Sequence, residues 1–185
     1  AIGIEFASFY NELGCEVTIA SARVPKGDPS ALPIGPSFLP PRIRLLIGVG
    51  DVRRIIVEKK PDIVIGYRVT SYGYLGAASG FHPLVIAAQN ERIAEHPTNS
   101  VFRSRLLRRF AERAIKSADL IHSWAPNITS GLKRYGADEG KILELHRGID
   151  TGVFRPSGDR AFDRERPVVI STRSLYPQYR LETLL

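Results

Sequence analysis

Several side chains in this 185-residue sequence are suited to recognising phosphates or hydroxyl groups. Arg173 directly follows the apolar run VVIST (168–172), where a chain leaving a strand turns. A guanidinium there offers fixed N–H donors that match phosphate oxygens, and it keeps its charge at any working pH. Gln89, Asn90 and Glu91 follow the run PLVIAA, and Tyr67 ends the run DIVIGY. These groups can hydrogen-bond the hydroxyls of a ligand. Asn and Gln also satisfy local backbone groups in loops, so a capping role stands beside the ligand role. Gly148 and Asp150 sit in RGID and suit a turn better than a ligand contact, because glycine tolerates left-handed backbone.

Other reactive residue types point nowhere in particular. His82 and His96 flank loops, His122 lies inside an apolar run, and no pair has metal-ligand spacing, so no metal site is expected. Trp124 follows a strand-like run and suits packing better than ligand stacking. The single cysteine, Cys15, excludes an internal disulfide and a cysteine-rich zinc site. It precedes VTIA and is expected to be an inert, half-buried thiol in a reducing, cytoplasmic compartment.

The formal charge of +7 favours anionic partners such as nucleotide phosphates or lipid head groups. Much of it lies in SVFRSRLLRRFAERAIKS (100–117), where Arg105, Arg108, Arg109 and Lys116 alternate with apolar residues. A solvated outer face accounts for this pattern. A cationic face resting peripherally on anionic membrane is the sharper reading. Nucleic acid is not expected as a partner, because no stacking platform or recognition motif accompanies the charge.

The elements that must position these residues follow from periodicity. Residues 1–13 have helical spacing and Gly14 as a stop; 45–60, closed by Pro61, 101–117, and 125–136, stopped by Gly136, are also helical. A helix-like segment runs from 68 to 80. Runs 16–21, 62–67, 83–90, 118–123 and 141–145 are strand-like, most too apolar for a wetted face. Residues 23–42 are rich in Pro and Gly and are expected to form an extended loop without helix. The alternation predicts an α/β fold, a Rossmann-like parallel sheet with helices on both faces, linked by right-handed crossovers. Ligands of such a sheet bind at the carboxyl ends of its strands.

A hydrophobic fraction of 43% is that of a globular protein. No apolar run approaches the roughly 18 residues of a membrane span. The first residues lack the basic region of a signal peptide. The chain does not begin with Met and contains none, which leads to the expectation of a clipped or incomplete polypeptide.

The order ADLIHSWAPNITSGLKRYGADEGKILELHRGIDTGVFRP resembles the end of the N-terminal domain of family 4 glycosyltransferases, the group 1 retaining transferases of GT-B fold. PDIVIGYRVTSYGYLGA and GCEVTIAS are similar to that family's Pro-Asp-Val-Val and Gly-His-Glu-Val-Thr segments. The resemblance spans essentially the whole chain. It implies an N-terminal, acceptor-side domain over 1–150 that lacks its first strand, a linker over 151–166, and over 167–185 the first βα unit of a truncated second Rossmann-like domain. The family's first strand with its glycine-rich loop, and its Glu-x7-Glu region, would lie outside the sequence, so the 185-residue chain alone is expected to be inactive.

The resemblance also implies residue roles. Arg173 matches the arginine that binds the donor diphosphate, whereas the family lysine falls on Tyr179, beside Arg180. The family's two histidines fall on Gln89 and Tyr67. Gln89 can bond a sugar hydroxyl but cannot carry a proton as imidazole does. The implied reaction is transfer of a hexose from a UDP-, GDP- or ADP-sugar to a glycan or lipid-linked acceptor, with retention. It needs no cofactor beyond the sugar nucleotide as co-substrate, and no obligatory metal. Two alternatives are a non-catalytic domain that binds membrane or a protein partner through its basic helix, and a GT-B sugar-nucleotide epimerase. The epimerase would need acidic and His residues at strand ends, which this sequence does not supply.

Overall fold

The computed structural model describes residues 2–24, 31–89, 101–146 and 148–155, with side chains described from residue 6 in the first stretch and from 105 in the third. The chain divides into two units, Ala1–Arg147 and Gly148–Leu185.

In the first unit, four parallel strands form one sheet in the order β3 (Val64–Tyr67), β4 (Leu84–Ala88), β5 (Leu120–Ser123), β6 (Ile142–Glu144). Helices surround it, so the expected Rossmann-like α/β architecture is present. β4 reads LVIAA, has a neighbour on each side, and is the most buried strand; Ile86 faces Ile121 in register and both are fully buried. Burial of each such side chain contributes about 1.5–3 kcal/mol. The outer strands are wetter than their apolar sequences suggest. Ile65 on β3 and Leu143 on β6 are partly exposed, because each strand has only one neighbour among the described residues.

The helices are α1 (Ile2–Glu12), α2 (Pro41–Ile47), α3 (Val49–Lys59), α4 (Tyr74–Ser79), α5 (Val101–Ser117) and α6 (Pro126–Arg134). Gly14 and Gly136 take positive φ at the predicted stops after α1 and α6. Ala111, Ala114 and Ile115 of α5 pack into the core beside Ile86 and Ile121, and Phe110 stacks on Tyr74 at 4.0 Å between ring centres. Arg53 on α3 donates to the Ala78 and Ser79 carbonyls, which satisfies acceptors left open at the end of α4.

Three expectations change. The Pro/Gly-rich stretch carries a strand, β2 (Ala31–Pro33), paired in parallel with β1 (Ile19–Ser21). It also carries the start of α2, because Pro41 occupies the first helical turn, where its missing N–H costs nothing. The helix expected over 45–60 is two helices broken at Gly48. A Cβ there would lie 2.2 Å from Ile34 Cγ2, so only glycine lets β2's exit pack against the break. Finally, Cys15 is exposed, since it lies in the irregular link between α1 and β1 and no element covers it.

The helix-like segment after β3 begins as a π-helix, Arg68–Gly73, before α4. It folds back tightly: a Cβ on Gly66 would lie 2.7 Å from Gly73 Cα and 2.9 Å from the Tyr72 carbonyl oxygen. Gly66 and Gly73 thus let strand and helix backbone touch.

Candidate functional site at the carboxyl ends of the strands

Because β3 to β6 are parallel, their carboxyl ends share one edge of the sheet, and the exits from that edge are where side chains can converge on a ligand. The small β1–β2 sheet joins this edge through Tyr72. Its hydroxyl lies 3.2 Å from Ser21 Oγ and accepts the Ala22 N–H at 3.2 Å. Ser21 Oγ donates to the Arg23 carbonyl and accepts the Arg23 N–H, which closes a tight turn at the end of β1. The exits of β1 and β3 are therefore pinned together by one phenol.

Tyr67 ends β3. Its ring lies 5.9 Å from that of Phe6, and burial, then neighbouring Tyr10, push its pKa up to about 12. At neutral pH it is a protonated hydrogen-bond donor rather than a base. Arg68 follows with φ of 68°, the left-handed region that non-glycine residues rarely occupy. Register places Tyr67 opposite Ala87, so half-buried Gln89 lies two residues beyond that pair on the adjacent strand exit. Tyr67 and Gln89 thus lie at the exits of adjacent strands. Asn90 and Glu91 lie outside the described residues.

At the exit of β5, Ser123 is fully buried, and its hydroxyl donates to the Ala125 carbonyl. Thr129 Oγ1 lies 2.9 Å from Ser123 Oγ and 2.5 Å from Glu144 Oε2, so α6 ties the ends of β5 and β6 together. The Leu145 N–H donates to the Ser123 carbonyl, and His122 Nε2 lies 2.9 Å from the Leu145 carbonyl.

Gly148 and Asp150 belong to the second unit, where both are exposed. Asp150 Oδ1 accepts the Gly152 N–H at 2.8 Å and the Val153 N–H at 3.3 Å, and its carbonyl accepts the Phe154 N–H. This carboxylate closes a turn. Arg173 lies outside the described residues, as do Tyr179 and Arg180.

Arg105, Arg108, Arg109, Arg113 and Lys116 of α5 are exposed. Arg108 pairs with Glu112 at 2.9 Å, which raises its pKa further, and lies 5.9 Å from the Tyr135 ring centre. Arg105, Arg109 and Lys116 extend the stripe. Ala111, Ala114 and Ile115 of α5 lie in the core, so among its described residues this helix presents mainly charge to its surroundings.

Residues that the sequence did not single out carry much of the rim. Tyr72, Thr129 and Glu144 act through partners 15 to 51 positions away, and no local pattern marks them. Arg44, in the stretch read as loop, donates to the carbonyls of Leu39 (2.7 Å), Ala22 (3.2 Å) and Ser37, and holds the approach to α2 against the exit of β1. Beside it lies an open depression of about 600 Å³, lined by Arg23, Val24, Pro33 and Arg44 among others. Among the described residues, no cluster of three His, Cys, Asp or Glu side chains could hold a metal ion. No helix among them is long and apolar enough to cross a membrane.

A family model described as Glycosyltransferase Family 4 matches residues 4–153. No curated protein matches the chain.

Proposed function

This chain belongs to glycosyltransferase family 4, and from that premise we propose that its intact enzyme is a group 1, GT-B transferase moving a hexose from a sugar nucleotide to an acceptor with retention of configuration. The observation that carries this reading is the gathering of strand exits onto one rim. Tyr72 ties the β1 exit to that of β3, and Tyr67 and Gln89 stand at the exits of the adjacent strands β3 and β4.

The first unit is then the acceptor-side domain. Tyr67, kept protonated by burial, donates to a hydroxyl or ring oxygen. Gln89 both donates and accepts, which suits a sugar hydroxyl. Neither group takes a proton at neutral pH. That accords with front-face transfer, in which the departing phosphate of the donor accepts the proton of the attacking hydroxyl. Arg173 supplies donors to the diphosphate, and Asn90 and Glu91 extend the polar loop after β4. The sugar nucleotide is the sole co-substrate. Work at the cytoplasmic side of a membrane, in glycan biosynthesis, fits an acceptor carried on lipid.

The test is binding and turnover of labelled UDP-, GDP- and ADP-sugars by the intact enzyme. Product analysis should show the donor's anomeric configuration retained, and Gln89→Ala should lower kcat/KM by about one to two orders of magnitude through lost transition-state contacts. Absence of binding and turnover across the donor panel sinks the proposal.

A further inference from the structure

One residue beyond β3 the backbone takes a conformation that suits glycine, and the residue there is arginine. Among the described residues, Gly14, Gly35, Gly80 and Gly136 have positive φ, and so do two residues that are not glycine, Lys60 and Arg68. Lys60 is the left-handed cap of α3, and its N–H donates to the Ile56 carbonyl, which offsets the conformation locally. Arg68, with φ of 68°, instead opens a π-helix, a rare conformation that recurs at functional sites. Glycine would take this backbone without strain. The same fold-back uses glycine at 66 and 73, where strand and helix backbones touch. At 68 a long charged side chain stands where the backbone disfavours any side chain.

Packing gives that side chain no task. Arg68 is exposed between half-buried Tyr67 and buried Val69, and no hydrogen bond or ion pair joins its guanidinium to a described residue. The arginines that support the fold behave otherwise: Arg44 and Arg53 each donate to backbone carbonyls. The place of Arg68 is the ligand edge of the sheet. It directly follows Tyr67, which pairs in register with Ala87, and Gln89 leaves the neighbouring strand. The segment from Arg68 to Gly80 contains no Asp or Glu, so the cation has no counter-charge within it. A phenol and an amide suit hydroxyl groups. A guanidinium offers a fixed, charged fork that matches the oxygens of a phosphate or a carboxylate.

We propose that Arg68 is a ligand-binding residue that receives an anionic group, a phosphate or a carboxylate, of the substrate held at the exits of β3 and β4. For the source of the anion this rests on the transferase reading, which supplies two: the diphosphate of the donor and an acidic group on the acceptor sugar.

The test is an NMR titration of the isotope-labelled 185-residue chain, followed through the amide signals of residues 67–73. The probes are pyrophosphate, UDP, glucuronate and glucose 6-phosphate, with glucose as the neutral control. At least one anionic probe should move these signals, and glucose should not. Arg68→Ala and Arg68→Gly should each weaken that binding about tenfold, the loss of one charged hydrogen-bonding partner. Arg68→Lys keeps the charge without the fork and should lose less. Arg68→Gly should also raise the urea midpoint, because φ of 68° suits glycine, whereas Arg68→Ala should not. An arginine with a purely structural role would not give that split between stability and binding. Movement by no anionic probe, equal movement by glucose, or binding kept within about twofold in both variants overturns the proposal. So does a lower midpoint or a failure to fold in both, since the side chain then belongs to the fold. An equal loss in Arg42→Ala, at an exposed arginine of α2, marks a general effect of charge and also overturns it. Pyrophosphate or UDP as the tighter probe assigns the anion to the donor; glucuronate or glucose 6-phosphate assigns it to an acidic acceptor. Titration requires no turnover. Its failure therefore leaves the transferase reading standing, and an intact enzyme inert to every donor leaves the titration result standing.

Discussion

The hydroxyl of Tyr72 lies 3.2 Å from Ser21 Oγ, a contact between residues 51 positions apart that fastens the β1–β2 sheet to the turn leaving β3. The same oxygen accepts the N–H of Ala22, which is 1% exposed. The phenol, carried by the segment that leaves β3, thus makes both of these hydrogen bonds to the exit of β1.

Tyr72→Phe should therefore cost about 1–3 kcal/mol, the penalty for leaving a buried donor without its acceptor. Urea denaturation should show a lower midpoint at unchanged slope, and amide exchange should quicken at residues 19–23. An unchanged midpoint together with unchanged exchange would contradict the role assigned to this contact.

Gly66→Ala tests the close approach of β3 and the π-helix. The new methyl would meet Gly73 Cα at 2.7 Å, and backbone on both sides cannot yield as a flexible side chain would. Overpacking of this kind costs about 1–3 kcal/mol. The shift should displace Tyr72, so Gly66→Ala combined with Tyr72→Phe should fall short of the sum of the single changes. Full additivity in a double-mutant cycle would show that the two sites are independent.

Tyr67 supplies a prediction at high pH. Its pKa is raised to about 12, by burial first and by Tyr10 second, whereas the unfolded phenol titrates near 10. Between these values the folded state holds the proton more tightly than the unfolded state does. The contribution to stability is thus complete below about pH 10 and is lost as pH rises toward 12. Phenolate absorbance near pH 11 should be nearly the same in wild type and Tyr67→Phe, because Tyr67 is still protonated there. A wild-type excess of one full phenolate at that pH would refute the assignment.

Asp119 governs the acid side. Its carboxylate accepts the Leu84 N–H at 2.6 Å and meets His82 Nδ1 at 2.7 Å, and these partners, Leu84 first, hold its pKa below the ordinary carboxylate value. A depressed pKa contributes stability that is complete above the unfolded value, about 4, and disappears as pH falls through the folded value. Asp119→Ala should lower the denaturation midpoint at neutral pH, and its difference from wild type should shrink below pH 4. Asp119→Asn keeps an acceptor for Leu84 and should be the milder change. A constant difference across the acid range would rule out the linkage.

Core packing gives a simpler check. Ile86→Ala removes buried surface opposite Ile121 at the centre of the sheet and should cost about 2–5 kcal/mol, a large part of the total stability of a domain. Thermal and chemical denaturation should agree on that loss, and a change below about 1 kcal/mol would show that the cluster is not the core.

Much of the fold was legible before any coordinates, and the reason is locality. LVIAA must be buried, Gly14 and Gly136 must end helices, and the alternation of apolar runs with amphipathic ones admits a parallel α/β sheet and little else. Where the reading slipped, a local rule met a tertiary exception. Proline content argued against regular structure over 23–42, yet β2 forms there because β1 offers a partner, and Pro41 starts α2. Cys15 was placed half-buried by its apolar neighbours, but the link that carries it lies outside every packed layer.

The candidate site divides along the same line. Sequence alone determined the kinds of groups at the strand exits, since residue type and strand position are written locally: Tyr67, Gln89, Asn90 and Glu91 after β3 and β4, with Arg173 after a later run. Family membership likewise rests on the order of segments along the chain. Only the tertiary structure decided which exits meet. The Tyr72–Ser21 contact, the Ser123–Thr129–Glu144 tie and the carbonyl clamp around Arg44 join residues distant in sequence, and hydrogen bonds of that kind leave no periodic trace. The same holds for exposure. The apolar residues of α2 and those of α5 look alike in sequence, but α5 lies on the core and α2 does not, because burial belongs to the packed surface and not to the residue.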